Sequence, residues 1–293
     1  MIKKMFLAVL AIGIFASSCS NDDDGVATSR LTLSLDGLEN LGTDFVYEGW
    51  IIVDGNPVST GVFTVDDSGT LSETSFQVMK ETLDAATTFV LSIEPANDPD
   101  PAPADTKLLV GNFSGNTANV GSEGIVADFA SASGKYILAT PTDMDMTNES
   151  SGVWFLDNSS GSPVTGLNLP TLSAGWQYEG WVVFDGTPVS TGTFLDPAMA
   201  DDNAATSPFK GSAGNGPGYP GEDYVMGTAA GIQFPTDLKE RTIVISVEPS
   251  PDNSAAPFAL KPLAHMVPAN AADHTAISMG AGPVSSLSGT VSR

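Results

Sequence analysis

Residues 47–53, Tyr-Glu-Gly-Trp-Ile-Ile-Val, form a short run of aromatic and β-branched side chains interrupted only by Glu48 and Gly49. Asp54-Gly55 ends the run, and residues 58–63 bring the chain back to a second one behind Pro57. Two such runs around an Asp-Gly pair predict a β-hairpin, because the two-residue turn needs positive φ at both central positions. Pro57 falls just past the turn, where a missing amide donor does least harm. Both faces of 47–53 are apolar, which predicts a strand buried on both sides.

The same pattern occurs twice. Residues 47–63 read YEGWIIVDGNPVSTGVF and residues 178–194 read YEGWVVFDGTPVSTGTF, identical at twelve of seventeen positions with an offset of 131. Leu38, Leu41 and Phe45 stand at the same offset from Leu169, Leu172 and Trp176. Further on, residues 89–95 (FVLSIEP) match 243–249 (IVISVEP), and Lys107 and Leu109 match Lys261 and Leu263, all at an offset of 154. The offset therefore grows by 23 residues, and the extra length falls in the Gly- and Pro-rich stretch of about 201–235. These spacings predict a duplicated module whose second copy gained a surface loop.

Short apolar strands separated by Gly, Pro, Asn and Asp clusters predict an all-β fold of two tandem antiparallel β-sandwich domains. The divisions read from the sequence are a signal peptide over 1–18, an acidic tether over 19–29, module one over 30–148 and module two over 149–293. The best helical candidate is 75–85. Residues 134–140 and 152–157 are able to pair as one hairpin across the boundary between the modules.

The amino terminus changes the setting. Lys3 and Lys4 precede an apolar run over 5–15 and then Ala16-Ser17-Ser18-Cys19. That order predicts a secretory signal peptide, and the run is shorter than the roughly 20 residues a spanning helix needs. No later stretch reaches that length. Cys19, the sole cysteine, stands where cleavage would leave it first, and the site resembles a bacterial lipobox, in which that cysteine is acylated by a palmitate-type chain. The Ser20-Asn21-Asp22-Asp23-Asp24-Gly25 tether looks like the acidic stretch that directs Bacteroidetes lipoproteins to the cell surface. With one cysteine, no intrachain disulfide forms despite an oxidising destination. Loss of Lys3 and Lys4 takes the eleven basic residues to nine against 35 acidic, a net charge of −26. Such a chain repels phosphate backbones and anionic headgroups, so no nucleic-acid partner is expected.

The Tyr-x-x-Trp-x-x-x-Asp-Gly hairpin, the Pro-x-x-x-Gly-x-Phe return and the Ser-x-Glu-Pro strand resemble the extracytoplasmic C-terminal domain of anti-sigma-K factors. The residues are Tyr47, Trp50, Asp54, Gly55, Pro57, Gly61, Phe63, Ser92, Glu94 and Pro95, repeated in the second copy. The resemblance implies two tandem β-sandwich domains with a sensory or interaction role. A full anti-sigma factor of this type also has a cytoplasmic sigma-binding helical domain and a membrane helix. This chain carries neither pattern, so direct contact with a sigma factor is not expected.

Catalytic patterns are weak. Gly216-Pro217-Gly218-Tyr219-Pro220-Gly221 spells Gly-x-Gly-x-x-Gly, but its prolines block the required strand-to-helix turn, which leaves a mobile loop. His265 and His274 lie too far apart for one metal-binding element. Glu48/Glu179 and Glu94/Glu248 invite a paired-carboxylate reading, but each recurs in both copies at a strand end, as framework does. Trp50 and Trp181 are read as core residues rather than sugar platforms. Asp98/Asp100 and Asp143/Asp145 are candidate calcium carboxylates without the loop pattern that calcium sites of the EF-hand type need. The sequence therefore predicts a non-enzymatic outer-membrane lipoprotein, facing the periplasm or the cell surface, without cofactor or metal. It would be anchored through Cys19 and bind or sense an envelope protein, with glycan recognition or adhesion as the alternative.

Overall fold

The computed structural model describes residues 27–122, 124–251, 254–283 and 287–293. The signal peptide, Cys19 and most of the acidic tether lie outside the described residues. In the first half the elements are β1 (Thr28–Asp36), β2 (Phe45–Val53), β3 (Asn56–Phe63), β4 (Ser75–Met79), α1 (Lys80–Ala85), β5 (Thr88–Pro95), β6 (Lys107–Ser114), β7 (Thr117–Gly121) and β8 (Ser133–Leu138). Short strands β9 (Val153–Trp154), β10 (Leu156–Asp157), β11 (Val164–Thr165) and β12 (Leu167–Asn168) follow. The second half continues with β13 (Trp176–Phe184), β14 (Thr187–Phe194), β15 (Gly221–Glu222), β16 (Thr228–Ala229), β17 (Ile232–Gln233), β18 (Thr242–Pro249), β19 (Leu263–Met266), β20 (Ile277–Ala281) and β21 (Ser288–Ser292).

The protein is all-β. One eight-stranded sheet runs β3-β2-β5-β6-β7-β21-β1-β4, and a nine-stranded sheet runs β14-β13-β18-β19-β20-β8-β9-β15 with β12 also paired to β8. Both hairpins form as read. Asp54 and Gly55 have φ of 50° and 79°, Asp185 and Gly186 have 49° and 91°, which suits a two-residue turn matched to strand twist. Each hairpin carries a bulge at the same place, between Gly49 and Trp50 and between Gly180 and Trp181. The expected sandwich takes the form of one continuous sheet that curls until its edges meet. Phe63 of β3 packs on Phe76 of β4 with ring centroids 6.2 Å apart, and Tyr224 beyond β15 donates to the Val189 and Ser190 carbonyls of β14.

Four features differ from the sequence reading. The sheets do not divide at 148/149: β8 joins the second sheet and β21, at the far end of the chain, joins the first. Sequence adjacency favoured keeping each strand with its own copy, but pairing is decided by which edge lies open. Half of the helical candidate over 75–85 is strand, because Phe76 and Val78 alternate inward on β4 before α1 begins. The segment over 201–235 is only in part a surface loop: 212–216 and 226–228 are exposed, while 220–225 are buried at the sheet edge. Its β15 pairs with β9, and Phe209, Tyr224 and Phe234 form one aromatic cluster with Phe184. The Gly216–Gly221 stretch is likewise built in. Gly216, at φ 78°, lies against the Trp154 indole, and Gly221 is a strand residue.

The hairpin across the boundary is present, with Ile137 opposite Trp154 and Leu138 opposite Val153. One apolar cluster runs through both halves, from Leu31, Tyr47 and Phe89 to Tyr178, Ile245 and Val291.

Candidate functional site

The repeated polar residues build the same scaffold twice. Trp50 Nε1 donates to Ser92 Oγ at 2.8 Å, Ser92 donates to Glu94, and Glu94 accepts from the Ala104 amide at 2.8 Å. In the second half Trp181 Nε1 donates to Ser246 at 2.8 Å, Ser246 to Glu248, and Glu248 accepts from the Phe258 amide at 3.0 Å. Glu48 and Glu179 accept from Ser59 and Ser190 across their hairpins. Tyr47 and Tyr178 each donate to a carbonyl eight residues upstream, Glu39 and Pro170. Glu94 and Glu248 are buried, so these carboxylates tie strand ends to the loops that follow them.

Trp50 and Trp181 are buried, at 3% and 2% exposure, but on the strand face opposite Tyr47 and Tyr178, which enter the main cluster. His265 Nδ1 bonds Tyr136 Oη at 2.9 Å, and His274 Nε2 lies 3.1 Å from Glu149. Asp98, Asp100, Asp143 and Asp145 each accept the amide two residues ahead, the habit of Asx turns. Among the described residues no three His, Cys, Asp or Glu side chains converge to hold a metal ion.

A cleft lies where the two halves meet. It encloses about 670 Å³, within the range of small-ligand sites, and an adjoining recess of about 260 Å³ shares Phe45, Ile93, Pro249 and Pro251 with it. Repeat-equivalent residues line it together: Phe45 and Pro95 from one copy, Trp176 and Pro249 from the other, along with Leu172. The halves touch closely beside it: Gly175 has φ 85°, and a Cβ there would sit 2.7 Å from the Thr106 amide nitrogen. Trp176 packs on Phe258 at 5.8 Å, and its Nε1 is buried without a hydrogen-bond partner. The charged lining residues are Asp105, Glu39, Asp67 and Glu248. Lys261 lies close enough to feel Glu39 and Glu248, although burial pulls its ammonium below the usual range. An apolar cleft with Asp105 in its lining and Glu39 and Asp67 in the adjoining recess disfavours phosphate ligands and suits an apolar group carrying positive charge.

A second feature had no signal in the sequence. Asp201, Glu222 and Asp223, all from the added segment, are buried. Burial raises Asp201 to about 6 and Glu222 to about 7, and pushes Asp223 up as well. Asp223 accepts from Trp154 Nε1 at 2.8 Å and from the Thr142 amide at 2.6 Å. Glu222 accepts from Ser207, and Asp201 accepts from the Gly221 amide at 2.8 Å. Asp223 ties the added segment to β9 and to Thr142, while Glu222 and Asp201 bond within the segment. Scattered among Gly and Pro, three such acids carry no periodicity that would mark them as buried.

The comparisons agree with this geometry in one half of the molecule. Residues 24–107 match the family model described as Anti-sigma-K factor rskA, C-terminal. That span covers β1 to the start of β6 and includes the first Trp-Ser-Glu scaffold. No curated protein and no solved structure matches the chain. Over residues 24–107 the chain is similar to an extracytoplasmic anti-sigma-factor domain.

Proposed function

We propose that this protein is a non-enzymatic, lipid-anchored component of the outer membrane in which two copies of an anti-sigma-factor-like extracytoplasmic domain form one binding or sensing unit. Its ligand site is the cleft between the copies. The observation that carries this reading is that repeat-equivalent residues, Phe45 and Pro95 of one copy and Trp176 and Pro249 of the other, line one cavity. A duplication that brings the same strand ends to one cavity makes a site that a single copy lacks. The family match over residues 24–107 supports extracytoplasmic placement, and the lipobox-like Cys19 supports anchoring. The occupant is an apolar, positively charged segment of an envelope protein. Glycan recognition is the weaker reading, since all four tryptophans are buried and a sugar platform needs an exposed ring.

Two experiments test the proposal. Cys19→Ser is expected to move the protein from the membrane to the soluble fraction, and retention of the variant on membranes removes the anchor. Apolar peptides carrying lysine or arginine are expected to bind the exported chain, measured by calorimetric titration. Ala174→Trp, at an exposed cleft position, is expected to abolish that binding while leaving the melting temperature unchanged. Equal binding by the variant, or binding of neutral oligosaccharides in place of peptides, defeats the assignment.

A further inference from the structure

The two sheets can be laid over one another strand by strand. β3, β2, β5, β6 and β7 occupy the first five places in one, and β14, β13, β18, β19 and β20 occupy them in the other. The sixth place breaks the local order. The strand that follows β7 in the chain, β8, fills the sixth place of the second sheet, and β21, which follows β20, fills the sixth place of the first. Each half thus closes its sheet with the strand that the other half supplies.

The two exchanged strands are themselves related. Both begin Ser-Gly, at Ser133-Gly134 and Ser288-Gly289. Gly134 lies opposite Leu167 and Gly289 opposite Leu35. Each glycine is required by close packing, since a Cβ would press on Leu263 in one case and on Leu35 in the other. Each strand also begins its pairing with the fifth strand of its host sheet. Gly134 pairs with Met279 of β20, and Ser288 with Gly121 of β7. A β21 supplied by a second chain would make the same backbone pairs with β7 and β1 as the chain's own β21, the condition under which strand exchange costs little.

We infer that the slot between β7 and β1 is a strand-acceptor site, and that its alternative occupant is β21 of a second copy of this chain. In the single chain, β21 pairs over five residues with β7 on one side and five with β1 on the other. Val291 of this strand and Leu287 just before it are buried. Arg293 latches it. The guanidinium donates to the Leu83, Ala86 and Gly115 carbonyls at 2.6, 2.7 and 3.1 Å and lies 4.4 Å over the Phe113 ring. Release of this latch frees the strand for a neighbouring molecule whose own β21 has left. Two chains exchanging β21 reciprocally fill both slots, which gives a closed dimer rather than a filament.

The test uses the exported chain carrying Cys19→Ser, so that introduced cysteines stand alone. Thr290 of β21 faces Asn119 of β7, with side chains 3.4 Å apart. One isotope-labelled chain carries Thr290→Cys and an unlabelled chain carries Asn119→Cys. The two are mixed, warmed to just below the unfolding midpoint, cooled and oxidised. A disulfide joining positions 119 and 290 of differently labelled chains, in a species of twice the monomer mass, is the expected result. Arg293→Ala is expected to raise its yield several-fold. The double variant on one chain reports the unexchanged form as an internal disulfide. Internal linkage in the double variant with none between chains in the mixture overturns the proposal. Absence of both linkages also overturns it, because β21 would then not occupy the slot.

Discussion

The indole of Trp50 does two things at once: it covers the outer face of β2 and its N–H begins a chain through Ser92 to the buried Glu94. Trp50→Phe keeps much of the apolar cover but leaves the Ser92–Glu94 pair one donor short, so a loss of about 1–3 kcal/mol is expected. Trp50→Ala adds a cavity and is expected to cost about 3–5 kcal/mol. Urea titrations of both variants check this, and unchanged midpoints would identify a surface platform instead. The buried acids set the pH response. Glu222 is raised from 4.5 to about 7 by burial, ahead of the opposing hydrogen bond from Ser207. The folded state therefore holds a proton that the unfolded chain releases near pH 4.3. Its contribution is complete below that value and is lost as pH rises through about 7. Wild-type protein is expected to unfold at lower urea at pH 8 than at pH 5, and Glu222→Gln is expected to narrow that difference. An equal difference in the variant would show that general charge repulsion alone governs the response.

At the scale of elements, the hairpins and the strands that host the scaffold are set by local chemistry, while the junction between the halves depends on one glycine. Gly175 sits at φ 85° with its α-carbon against the Asp105–Thr106 backbone. Gly186 shares a positive φ, 91°, but has nothing near its missing side chain. Both Gly175→Val and Gly186→Val pay backbone strain on the order of 1–3 kcal/mol. Only Gly175→Val also pushes the halves apart. It is expected to be the more destabilising of the two and to speed hydrogen exchange around Thr106, and equal exchange in the two variants would remove the close contact from the account of the cleft.

For the whole molecule, the exchanged strands and the shared apolar cluster make the halves interdependent. Calorimetry of the exported chain is expected to show a single transition whose measured and van't Hoff enthalpies agree. Trp181→Ala is then expected to lower the stability of the entire chain and not of one half. Two separate transitions, with only one displaced by the variant, would show that each half closes on its own strands.

The repeat, the hairpins and the all-β class were legible in the sequence because they rest on neighbours: an Asp-Gly pair supplies its own turn, and an apolar run of seven residues declares a strand wherever it lies. Trp50, Ser92 and Glu94 were legible as framework because the same residues recur in the second copy, at 181, 246 and 248. Only the tertiary structure decided the rest. Which strand fills the sixth place depends on an edge left open more than 160 residues away, at Asn119 for Thr290, and pairing over such distance leaves no local mark. The same holds for the cleft, made by residues 45, 95, 176 and 249. Asp201, Glu222 and Asp223 read as solvated acids until the fold closes over them, because burial belongs to the packed molecule and not to the residue.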